Sequence, residues 1–220
     1  MKSLTALLFL SFLAASAAAE SSVVERWFSA TSSAKSVEVE FTQKRKLKTI
    51  KLPIKSQGKL WIDYADDRFR WETGNPPQTV VLRVGKELTI IRTPGKRFEK
   101  RDVNAQTDSE ERKKPKSGMS ILAGGFPRTL EAFRAQYRVL ETTLDGPVHR
   151  VSTKPLDARG QSVESFVFLI DAETYFLRGF DIRLVDKSTI EMSFDEVRPN
   201  VKLRDGLFSH DLTGYKETEF

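Results

Sequence analysis

The chain has 220 residues, a formal net charge of +6, 15 phenylalanines and no cysteine, so neither a disulfide nor a cysteine-borne acyl anchor is open to it. Its charges alternate in sign along most of the length, which reads as a solvated surface and argues against a nucleic-acid groove. The nearest approach to a basic patch, Lys44-Arg45-Lys46 with Lys48, Lys51 and Lys55, has no aromatic among it; it fits brief encounters with anionic membrane surfaces or acidic partner proteins instead.

The chain opens with Met1-Lys2, an apolar run from Leu4 to Leu13, and Ala17-Ala18-Ala19 before Glu20, the layout of a cleaved signal peptide. That run is shorter than the roughly 20 residues needed to span a bilayer. The expectation is a signal peptide over 1–19 and a soluble mature chain exported from the cytoplasm. The 201 residues from 20 to 220 are a length suited to one large all-β domain.

Residues 20–34 place Val23, Val24, Trp27 and Phe28 at helical spacing, which predicts an amphipathic helix whose apolar stripe joins the core. At Val37 the period changes: Val37, Val39 and Phe41 alternate with Glu38, Glu40 and Thr42, as in a strand with one dry face. Strands are predicted next at 57–64, 68–72, 79–84, 88–93 and 97–103, mostly punctuated by Gly, Pro, Asn or Asp, which favours an antiparallel meander over a βαβ sheet. Residues 104–116 are polar and read as an exposed loop. Residues 117–126 form a small apolar segment with glycines near both ends, and 128–137 predict a second helix. Strands resume at 137–143, 148–153, 163–170, 176–185 and 189–197, and an irregular tail holds a last strand near Tyr215.

Catalytic chemistry has little support. His149 lies in an alternating strand and His210 in the tail, neither beside a metal-ligand partner or a nucleophile motif. No G-x-S-x-G, Walker A or G-x-G-x-x-G sequence occurs, and Gly124-Gly125 suits a bend better than a phosphate cradle. The acid pairs Asp66-Asp67 and Glu110-Glu111 sit in turn and loop segments, whereas a two-carboxylate hydrolase needs acids facing each other across a cleft. A non-enzyme without cofactor or metal is expected. The aromatic load is more informative: Phe41, Phe69, Phe98, Phe166, Phe168, Phe180 and Phe194 fall on the dry side of successive strands. They fit either a filled core or a curved sheet around an apolar lipid cavity.

Phe41-Thr42-Gln43-Lys44, then the run Leu52-Pro53-Ile54-Lys55-Ser56-Gln57-Gly58-Lys59-Leu60-Trp61, then Arg68-Phe69-Arg70-Trp71-Glu72 and Pro77-Gln78-Thr79-Val80-Val81 follow a recognisable order. F-x-Q, S-x-G-x-L, F-R-W, and a proline-led strand running to a turn at Val84-Gly85-Lys86 resemble the outer-membrane lipoprotein carrier family, LolA. The match is good over residues 20 to about 100; beyond that the order of elements agrees. The resemblance implies a mainly β fold, an incomplete antiparallel β-barrel of about eleven strands, with helices forming a lid over an apolar cavity. It implies a periplasmic monomer that shields acyl chains of lipoproteins, or another lipid, passing them from an inner-membrane ABC transporter complex to an outer-membrane acceptor. A periplasmic lipid-sensing regulatory domain of the same fold is the alternative.

On this resemblance the cavity and lid residues are Phe41, Trp61, Phe69, Trp71, Met119, Ile121, Leu122 and Phe168. The family commonly places an Arg after S-x-G-x-L-W, where it helps latch the lid. Tyr64 stands at about that position here and is the latch candidate, and the interval to F-R-W is one residue longer. The x-L-P-I-K-S-x-G-K-L run resembles divergent members associated with export of other lipids or lipid-linked products.

Overall fold

A computed structural model describes residues 23–102, 127, 129–156 and 162–218. The first helix, α1, covers 23–32 within the described residues. The strands of the N-terminal meander are β1 (Ser36–Lys46), β2 (Ile54–Asp63), β3 (Arg68–Thr73), β4 (Thr79–Val84), β5 (Glu87–Arg92) and β6 (Arg97–Asp102). After α2 (Leu130–Gln136) come β7 (Tyr137–Asp145), β8 (Val148–Pro155), β9 (Val163–Asp171), β10 (Leu177–Leu184) and β11 (Thr189–Pro199), and finally the two-residue β12 (Lys216–Glu217).

All twelve strands belong to one open sheet in the order β12-β6-β5-β4-β3-β2-β1-β11-β10-β9-β8-β7. Each meander is built from neighbours in sequence, and the long antiparallel β1–β11 pair, from Val37↔Pro199 to Lys46↔Thr189, joins the two into a single surface. Among the described strands, only the β12–β6 pair is parallel. Strand alternation fixes the inner face: Val37, Val39 and Phe41 are buried on β1, and Phe166, Phe168 and Ile170 on β9.

Both helices lie against that inner face. Val23, Val24, Trp27 and Phe28 turn the buried side of α1 to the sheet, where the Trp27 ring centroid is 5.2 Å from Phe168 and 5.8 Å from Phe133 of α2. Thr129 caps α2 by accepting from the Ala132 N–H at 3.1 Å. The chain then turns extended at Tyr137 and passes directly into β7.

Gly58, in the middle of β2, is needed for close packing. A Cβ there would lie 2.0 Å from the Glu72 carbonyl oxygen and 2.5 Å from the Phe41 ring, whose centroid approaches Trp71 at 4.3 Å. The glycine of S-x-G-x-L thus lets one aromatic cross β2 to reach another.

One expected inner residue belongs elsewhere. Phe98 packs with Val80, Leu82 and Ile91 in a second cluster on the opposite face, covered by Leu212 and Tyr215 of the tail. Trp71↔Val81 and Arg70↔Leu82 show the phase: odd and even residues of β3 and β4 serve different faces. This part of the sheet is buried on both sides, so the apolar run Val80-Val81-Leu82 has no wet position.

Candidate functional site

The inner face carries aligned cross-strand rows of apolar side chains. Val39, Leu60 and Trp71 form one row across β1, β2 and β3; Val37, Ile62 and Phe69 form the next, which Arg83 of β4 extends. Trp27, Phe28 and Thr31 of α1 face these rows, with Phe176, Leu177, Phe194 and Val197 completing the far wall. Between them is a cavity of about 130 Å³. Apolar rows of this kind exclude water without offering directional contacts, so they select aliphatic groups by area and shape.

Among the described residues, Arg83 is the charged side chain of the lining. Its Nη2 donates to both carboxylate oxygens of Asp67, at 2.6 and 2.8 Å, and its Nε donates to the Gly85 carbonyl at 3.2 Å. Asp67 has φ of 51°, and its carbonyl accepts from the Gly85 N–H at 3.2 Å, so the β2–β3 and β4–β5 turns are tied together beside the cavity. Asp63 organises the first of these turns by accepting from the backbone N–H groups of Ala65 and Asp66 and from Arg68 Nη2. Burial alone would raise the Asp63 carboxyl, but the Arg68 bond and the two N–H donors outweigh it and hold it below the usual aspartate range. That contribution to stability is present above the ordinary aspartate pKa and disappears as pH falls through the lowered folded value.

Tyr64, directly after Asp63, lines the cavity, and its N–H donates to the Lys35 carbonyl at 2.9 Å. Phe69 and Trp71 stand on the wall. Phe41 lies behind Trp71 in the core, and Phe168 is buried beneath α1 among Trp27, Phe133 and Tyr137. Trp61 must be moved to the other side of the sheet: it pairs with Glu38 and Arg70, both outward, and its Nε1 donates to Glu38 Oε2 at 2.7 Å. The alternation that sends Leu60 and Ile62 inward leaves no other place for it. Met119, Ile121 and Leu122 lie outside the described residues.

Several wall residues escape a reading of the sequence. Helical spacing assigns Trp27 and Phe28 to the core, and they serve both as core and as cavity roof. Leu60 and Ile62 follow from strict alternation around Trp61. Arg83 becomes visible only when the β3–β4 register sets it beside Phe69.

The family model described as outer membrane lipoprotein carrier protein LolA matches residues 32–211. The chain belongs to the LolA family. The match runs from the end of α1 through both meanders into the tail, so it includes the whole β-sheet wall of the cavity. No curated protein matches the chain in sequence. Among solved structures, an uncharacterized conserved protein from Thermus thermophilus is 7% identical, with a TM-score of 0.56, covering 90% of this chain and 97% of that one. A putative outer membrane lipoprotein-sorting protein domain from Vibrio parahaemolyticus is 11% identical, with a TM-score of 0.49, covering 84% and 95%. The lipoprotein LppX of Mycobacterium tuberculosis is 11% identical, with a TM-score of 0.42, covering 84% and 97%. The likeness to the Thermus protein is one of fold. Membership of the LolA family makes this a carrier-type domain, and the open sheet with helices on its inner face is the corresponding architecture.

Proposed function

We propose that this LolA-family chain is a non-enzymatic periplasmic carrier that shields the acyl chains of a lipoprotein, or of another lipid, during transfer from the inner to the outer membrane. The mature form begins near Glu20 and comprises one carrier domain over 20–220. An inner-membrane ABC transporter complex supplies the cargo and an outer-membrane acceptor receives it. The observation that carries this reading is the pair of apolar cross-strand rows, Val39-Leu60-Trp71 and Val37-Ile62-Phe69, roofed by Trp27 and Phe28 around a cavity.

Each methylene removed from water contributes roughly 0.8 kcal/mol. A free acyl chain therefore aggregates or stays in a membrane unless an equivalent surface is offered. A cavity of about 130 Å³ is comparable to one that holds a single benzene-sized group, on the order of 150 Å³. A longer chain enters as α1 yields from the rows it covers and the cavity widens.

Two results test the reading. In single-tryptophan variants, brominated fatty acids should quench Trp71 and Trp27 strongly and Trp61 weakly, because the Trp61 ring is on the other face. Quenching confined to Trp61 would put the ligand outside the cavity. Tyr64 is proposed as the latch between closed and loaded forms. In that role its hydroxyl supplies one hydrogen bond, worth about 1 kcal/mol, which Tyr64→Phe lacks, and the variant should release a fluorescent acyl probe about fivefold faster. An unchanged off-rate removes Tyr64 from the mechanism. Native mass spectrometry of the protein taken from its own periplasm identifies the cargo.

A further inference from the structure

The loop between β1 and β2 stands at the end of the sheet away from the cavity. Residues 44–56 contain Lys44, Arg45, Lys46, Lys48, Lys51 and Lys55 and no acidic residue. Glu191 of β11 neutralises part of this charge, meeting Lys44 at 2.9 Å and Lys46 at 3.5 Å. Lys48, Lys51 and Lys55 have no acidic partner among the described residues. Between these lysines two aliphatic side chains project into solvent: Leu52 is 77% exposed and Ile50 46%. The neighbouring β10–β11 turn adds Val185, 52% exposed, and is fastened to the loop by the Lys48 N–H donating to Ser188 Oγ at 3.1 Å. Asp186 is the acid of that turn, and it is occupied in accepting the Ser188 N–H at 2.8 Å.

A single exposed leucine on a protein surface needs no explanation. Three bulky aliphatic groups at one tip, set among unpaired lysines, are a different arrangement. The lysines can reach phosphate groups while the aliphatic tips enter the layer just beneath them. We propose that this β1–β2 tip, with Val185 beside it, is a docking surface for an anionic lipid bilayer. The tip offers projecting aliphatic points among lysines, which suits a deformable lipid surface better than the complementary relief of an acidic protein. Lys46 and Val39 are seven residues apart on the same strand, or ~23 Å at 3.3 Å per residue. Docking therefore leaves the cavity at the free end of the molecule, and the contact is separable from cargo binding.

The chain has no cysteine, so Leu52→Cys accepts a single environment-sensitive label. With vesicles of phosphatidylcholine containing about one quarter phosphatidylglycerol, the label should brighten and shift to the blue, and the protein should co-sediment. Pure phosphatidylcholine vesicles should give neither signal. Lys48→Glu, Lys51→Glu and Lys55→Glu combined should weaken partition at least about 100-fold, from roughly fivefold per lysine. Ile50→Ser with Leu52→Ser should weaken it about tenfold or more. Acyl-probe binding and melting temperature should stay as in the parent, since these side chains are outside the core and the cavity. Absence of co-sedimentation by the parent protein overturns the proposal, as does full binding by the lysine variant. Undiminished vesicle binding by the serine variant also overturns it and leaves a purely electrostatic surface fit for an acidic protein.

Discussion

Ile62→Asp should lower the affinity for an acyl probe by two orders of magnitude or more, while Trp61→Phe, one residue earlier on β2, should change it less than about twofold. Ile62 pairs with Val37 on one side and Phe69 on the other, so its side chain is part of the surface a hydrocarbon would cover. It is only partly buried, and in the empty protein an aspartate there keeps contact with water, so the fold survives. Filling the cavity removes that water. An ionised carboxylate desolvated without a partner costs several kcal/mol, and about 3 kcal/mol is enough for the expected loss. Arg83 stands in the same row but is engaged with Asp67 and the Gly85 carbonyl, which leaves it poorly placed to neutralise the new charge. Titration of a fluorescent fatty acid against both variants gives the comparison directly. Equal losses would place the ligand off the inner face; no loss in Ile62→Asp would remove the cavity from the function.

This comparison bears on how the site is written in the sequence. Alternation identifies β1, and the F-x-Q and F-R-W motifs lie on β1 and β3, the two strands that flank β2, so that the Phe41 ring meets Trp71 across it at 4.3 Å. What a strand pattern lacks is an absolute label for inside. Trp61 draws attention as a large aromatic in a motif, yet its neighbours Leu60 and Ile62 hold the inner positions. Phe98 misleads for a related reason: β6 has an apolar residue on a face covered only because the tail returns to it. Residues 200–218 are polar enough to read as irregular, and nothing local reveals that Leu212 and Tyr215 roof a second cluster. The cavity itself depends on Val39 meeting Val197 across the β1–β11 pair, a partnership between distant segments that no local period encodes. Local rules therefore locate walls, and long-range register decides which side of each wall faces the ligand.

Arg70→Ala should be the most destabilising single change outside the inner core, by about 3–5 kcal/mol, and it should loosen the tail while sparing the cavity. In F-R-W the two aromatics point inward, so alternation sends Arg70 to the other face, where its side chain is 8% exposed. There its Nε donates to Glu72 Oε1 at 2.6 Å, and its Nη1 donates to the Leu207 carbonyl at 3.0 Å and the Ser209 carbonyl at 2.9 Å. One guanidinium thus neutralises a largely buried carboxylate and supplies two donors to tail carbonyls. Truncation leaves Glu72 without that cation and removes both tail bonds, a larger loss than the sum of ordinary surface contacts. For a chain of this size each kcal/mol is worth about 2–4 °C of melting temperature, so a fall of about 10 °C is expected. Limited proteolysis should cut the variant first within the tail, because the clamp holds the tail at Leu207 and Ser209, and Leu212 and Tyr215 cover the outer cluster beside the short β12–β6 pairing. Arg70→Lys keeps the charge but loses the fork of donors, and should fall between the two. Below its lowered melting point, Arg70→Ala should still bind acyl probe, since the inner rows are on the opposite face. A melting temperature within about 2 °C of the parent, with the tail no more open to protease, would show that the arginine merely rests on the surface and that apolar contact alone holds the tail.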